Sequence, residues 1–94
     1  MMIKTPKAKE YGKVLQTKAV CYFTKNAKLY KPTEDDYYKD IGMIASDVAD
    51  LYTMGGFMIA GDFDSAADIA SGLDTVVREE VPNYVWTYLN KFVD

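Results

Sequence analysis

The sequence predicts a mainly α fold, a small antiparallel helical bundle of three to four helices, on three observations. Apolar residues recur at helical spacing in four separate segments. Each segment opens on a helix-start signal: Thr5-Pro6, Thr33-Glu34-Asp35-Asp36, Asp62 to Ser65, and Pro82. The apolar content of 49%, with eight Tyr, four Phe and one Trp, is enough for a core, and no low-complexity linker divides the 94 residues. Residues 1–94 therefore read as one domain, with a basic N-terminal third (1–31) and an acidic helical region (32–94).

The first segment places Ala8, Tyr11, Gly12, Leu15, Ala19, Tyr22 and Phe23 on one face, with Lys9, Lys13 and Gln16 opposite. A competing α+β reading exists here. Residues 14–24 are rich in β-branched and aromatic side chains, and Asn26-Ala27 offers a turn. An N-terminal β-hairpin at about 14–31, packed on three helices, is the alternative. Its second arm is very short, which weighs against it.

Lys31-Pro32 breaks the chain and delivers it to residues 33–54. Thr33 is placed to cap, and three acids fill the first turn, where carboxylates suit the positive end of the helix dipole. Tyr37, Ile41, Ile44, Ala45, Val48, Leu51 and Tyr52 share one face. Asp36, Asp40, Met43, Asp47, Asp50 and Met54 make a second stripe, and Gly42, Ser46, Ala49 and Thr53 a third face of small residues. Gly55-Gly56 reads as the stop. The apolar run Phe57-Met58-Ile59-Ala60 then plugs the end of the bundle as a buried connection.

A third helix is expected over residues 62–80, capped by Asp62, Asp64 or Ser65. Its apolar face is Ala66, Ile69, Ala70, Leu73, Val76 and Val77, with Asp64, Asp68, Thr75 and Glu79 turned away. Gly72 lies inside it at a cost of about 1 kcal/mol relative to alanine. Pro82 opens the last segment, to Val93. Its apolar residues spread over much of the wheel, which suits either a central helix or one shared with a partner.

Several function classes fall away. The chain has no histidine, which removes the commonest general base and metal ligand together. With one cysteine, the usual zinc sites and cysteine–histidine or serine–histidine nucleophile systems are excluded. Asp62-Phe63-Asp64 resembles the start of a calcium loop, but loop positions 5, 6 and 12 are Ala66, Ala67 and Leu73, and the match fails. Gly55, Gly56 and Gly61 lack the lysine of a phosphate loop. No catalytic residue, metal or cofactor is expected, and the chain reads as non-enzymatic. Cys21 reads as a small buried hydrophobe. A lone cysteine, no leader and no membrane span fit a cytoplasmic location.

Charge is what remains. Residues 1–31 hold eight lysines against Glu10, a balance of +7, and residues 32–94 hold three cations against thirteen acids, a balance of −10. The acidic stripes point to docking on a basic surface of a protein partner, such as a nucleic-acid-processing enzyme. The expected contact residues are Asp36, Asp40, Met43, Asp47 and Asp50, with Met54, and with Asp64, Asp68 and Glu79 in support. Four aspartates between residues 36 and 50 span about 21 Å, roughly half the charge density of one DNA strand. The helix alone is too sparse to imitate a duplex. In size and charge this half resembles the small acidic inhibitors that phages and plasmids deploy against restriction or CRISPR machinery, a likeness that no motif carries. Two other readings stand beside it. One is a structural or adaptor subunit that homodimerises through Tyr84, Trp86, Tyr88 and Phe92. The other is nucleic-acid binding through the lysine-rich N-terminal third.

Overall fold

The computed structural model describes residues 6–92, which form five helices and no strand. They are α1 (Pro6–Ala27), α2 (Tyr37–Ala60), α3 (Phe63–Ser71), α4 (Thr75–Arg78) and α5 (Asn83–Asn90). Thr5 and Val93, the expected cap of the first segment and end of the last, lie outside the described residues. The helices α1 and α2 make a long hairpin, and α3 to α5 fold back over one end of it, giving extents of 46 × 21 × 20 Å.

The helical reading of the N-terminal third holds, and the hairpin alternative does not. Residues 14–27 lie wholly within α1. Ala8, Gly12, Leu15 and Ala19 are buried at helical spacing, so packing along one face overrides the β propensity of Val14 to Thr24. Cys21 is exposed rather than buried. It follows Ala19 by two residues and therefore sits about 200° round the helix from that core position. Gln16 does not face away from the core either; its side chain lies beside Gly55 and Gly56 of α2.

The second helix begins later and ends later than its sequence signals suggest. Residues 32–36 are turn and bend, and α2 starts after Asp36, whose side chain makes no capping bond. Gly55-Gly56 does not stop it. A Cβ on Gly12 would lie 2.5 Å from the Gly55 carbonyl oxygen, and one on Gly55 would lie 2.6 Å from the Gly12 carbonyl oxygen. These two glycines are the point where the helix backbones cross. The helix runs on through Phe57-Met58-Ile59-Ala60, which is its last turn and not a connection. It ends at Gly61, whose φ of 79° lies in the left-handed region. There the Gly61 amide donates to the Met58 carbonyl at 3.0 Å and the Asp62 amide to the Phe57 carbonyl at 2.9 Å. This is the paired-bond ending that glycine favours.

The expected helix over 62–80 is two helices. Asp62 caps α3, accepting from the Ser65 amide at 3.2 Å and the Ser65 hydroxyl at 2.7 Å. After Gly72 the chain turns so that Leu73 reaches the core, and Asp74 restarts a helix by accepting from the Val76 amide. Arg78 closes this corner by donating to the carbonyls of Ala70 and Ser71. Val76, expected on the apolar face, is exposed. The core gathers at this end around Phe63, Leu15, Leu51, Met54, Met58, Val77, Val85 and Leu89. No residue between 20 and 50 is buried.

Candidate functional site

One face of α2 changes character along its length. Towards the C-terminus, Leu51, Met54 and Met58 are fully buried beneath the end of the fold that α3 to α5 cover. Upstream the same side carries Asp50, Asp47, Met43, Asp40 and Asp36. Asp36, Met43 and Asp50 are exposed, and Asp40 and Asp47 are half-buried. Met54 therefore belongs to the core and does not offer contact area, whereas Met43, at 59% exposure, does.

The acidic part begins where the covering helices stop, and there α4 contributes to it. Partial burial pushes the Asp47 carboxyl above its ordinary value, and the charges of Asp74, the α4 cap, and of Asp50 push it further. The Tyr22 hydroxyl on α1 is raised as well, by burial first and then by Asp47, Glu80, Asp74 and Tyr30. Three elements thus converge on one spot. Sequence reasoning anticipated Asp47 and Asp50 but not Asp74, Glu80 or Tyr22. The pattern Gly72-Leu73-Asp74-Thr75, a helix breaker followed by a capping residue, is the signal that could have placed Asp74 at a restart. Asp64, Asp68 and Glu79 are exposed, but they are not among the groups acting on Asp47 or Tyr22. Among the described residues no cluster of three or more His, Cys, Asp or Glu is arranged to hold a metal ion. No helix there is long and apolar enough to cross a membrane.

The aromatic residues of α5 and of the turn that follows it are largely engaged within the chain. Tyr88 is buried, with its ring centroid 5.2 Å from Tyr11 and 5.9 Å from Phe63. Phe92 stacks on Phe63 at 4.5 Å. Trp86 is half-buried beside Arg78 in a shallow pocket, and Tyr84 remains 48% exposed. On the outer side of α2, Gly42, Ser46, Ala49 and Thr53 are all exposed, and no atom lies within 4 Å of a Cβ placed on Gly42. The close approach that this stripe invites is made within the chain by Gly12 and Gly55 instead.

The two shifted carboxylates predict opposite responses to pH. Asp47 is held above its ordinary value, so its contribution to stability is complete in acid and is lost as pH rises through the elevated value. Asp62 is held below its ordinary value by the Ser65 hydroxyl and then the Ser65 amide; its contribution is complete above the ordinary carboxylate range and is lost as pH falls through the depressed value. Asp47→Asn should raise the urea midpoint at neutral pH, with the gain vanishing in acid. A gain that persists unchanged in acid would refute the assignment.

The geometry defines a small, mainly helical protein with an acidic face beside its core. Compared with known proteins, it matches no family model, no curated protein and no solved structure.

Proposed function

We propose that this chain is a non-enzymatic binding protein that docks its acidic face on the basic, nucleic-acid-binding surface of a partner protein, and so inhibits it. The observation that supports the reading is the convergence of α1, α2 and α4 at Tyr22, Asp47 and Asp74, with Asp50 alongside. None of these three carboxylates forms an ion pair among the described residues. Gathering like charges on a folded surface is unfavourable, and a lysine or arginine from a partner relieves that repulsion as it forms its own contact. Adding Asp74 and Glu80 also raises the charge density above that of the α2 stripe alone, which makes competition with a phosphate backbone more plausible physically. Met43, which is well exposed, supplies apolar area next to the charges.

The test is affinity capture from the native host with and without nuclease, followed by identification of bound proteins. Charge reversal at Asp40 and Asp47 should abolish capture, and added salt should weaken it steeply. Capture that is unchanged at high salt, or that survives the double reversal, would overturn the proposal. A gel shift with the purified chain at low salt would instead assign the binding to the lysines of α1.

A further inference from the structure

We propose that the outer face of α2 is a homodimer seam, along which α2 packs antiparallel against α2 of a second copy. Gly42, Ser46, Ala49 and Thr53 recur at steps of four and three residues along the part of the helix that the rest of the chain does not cover. All four are exposed, and nothing from elsewhere among the described residues approaches Gly42. Beside this stripe runs an apolar groove of about 260 Å³, lined only by α1 and α2, with Val20, Phe23, Ala45, Val48 and Tyr52 among its walls. Val20 and Tyr52 are 55% and 48% exposed. Most of the acidic face points elsewhere; of its carboxylates only Asp50 reaches an edge of the seam.

The identity of the occupant follows from the edges of the seam. One edge carries a single cation, Lys39, and a single anion, Asp50, both exposed and neither in an ion pair among the described residues. The opposite edge carries Tyr38, at 83% exposure, and Tyr52. Consider two antiparallel copies of α2 related by a two-fold axis, with Gly42 of one opposite Ala49 of the other. Residues whose numbers sum to about 91 then face each other. Lys39 comes within two residues, about 3 Å along the axis, of Asp50 of the second copy. In the same register Tyr38 falls one residue from Tyr52 of the second copy. Both matches occur twice by symmetry. A row of small side chains lets the two axes approach to about 8 Å, and a second row of the same kind is the surface that exploits it. The dimer carries its two acidic faces outward, one on each copy.

Sedimentation equilibrium of the full chain from micromolar to hundreds of micromolar is expected to show a dimer. Ala49→Glu, at an exposed position, should leave the helical circular dichroism unchanged and give a monomer. Lys39→Glu should weaken association about tenfold, because it acts at two symmetry-related pairs, and adding Asp50→Lys should restore it. Ser46→Cys in a Cys21→Ser background should cross-link under mild oxidation, since residue 46 lies next to the axis. A monomer throughout the range would overturn the proposal. So would a dimer that ignores Ala49→Glu and fails to cross-link, and loss of such a dimer on Trp86 substitution would move the interface to α5. Asp50 borders both surfaces but Ala49 lies off the acidic stripe, so Ala49→Glu should give a monomer that retains partner capture; with that variant the two proposals fail separately.

Discussion

Phe63→Ala is expected to remove most of the stability of this fold. The ring is 1% exposed and stands at the centre of the aromatic cluster, stacked on Phe92 at 4.5 Å and edge-on to Tyr88 at 5.9 Å. Truncating a buried phenylalanine costs about 3–5 kcal/mol, and each aromatic pair adds roughly 0.5–1.5 kcal/mol beyond its buried area. Small domains have about 5–15 kcal/mol in total, and a chain of this length belongs near the lower end. The variant should be largely unfolded, or retain helix without fixed packing, at room temperature. Phe63→Leu, which keeps most of the volume, should fold with a loss of about 1–2 kcal/mol. Urea denaturation of the three proteins measures both values. A Phe63→Ala protein with a midpoint near that of the parent would show that the cluster does not organise the core.

The second large effect concerns two adjacent glycines with opposite expected outcomes. An alanine methyl at Gly55 would lie 2.6 Å from the Gly12 carbonyl oxygen, and at Gly12 it would lie 2.5 Å from the Gly55 carbonyl oxygen and 3.0 Å from the Ile59 amide nitrogen. The obstructing atoms include backbone, which cannot rotate away, so the helices must separate along their main contact. Overpacking of this kind costs about 1–3 kcal/mol, more than the roughly 1 kcal/mol that alanine returns through helix propensity. Either variant should melt roughly 5–15 °C lower. At Gly56 the nearest atom is the Gln16 amide nitrogen at 3.6 Å, an ordinary contact. Gly56→Ala should therefore stabilise by about 0.5–1 kcal/mol. Thermal unfolding by circular dichroism checks the signs. Equal shifts at Gly55 and Gly56 would refute the crossing geometry.

This pair also shows how far the sequence can be read. The helices themselves were legible, because Ala8, Gly12, Leu15 and Ala19 repeat at a spacing that only one backbone conformation satisfies on one face. Their ends were not. Gly55 looks like a stop signal locally, and what keeps it helical is Gly12, far upstream in the chain. Gly72 shows the converse. Its helix penalty alone does not break a helix, but the chain turns there because Leu73 finds the core and Arg78 ties off the carbonyls of Ala70 and Ser71. The candidate site divides in the same way. Asp47 and Asp50 share a periodic stripe and could be named from sequence. Asp74 and Tyr22 reach that stripe only through tertiary folding. Met54 lies on the stripe too, yet the covering helices take it into the core.

The lack of any buried residue between positions 20 and 50 sets how the molecule comes apart. Opening free energies follow local burial, and the half of the α1–α2 hairpin beyond Ala19 and Leu51 holds little apolar area against its chain entropy. Its backbone amides should be the first to exchange with solvent, and those around Leu15, Leu51 and Met58 should exchange only on global unfolding. Asp47 sits on the border between the two zones. A ligand that clamps Asp47 to Asp74 thus ties the loose half of the hairpin to the rigid half, and part of its binding free energy goes into slowing that exchange.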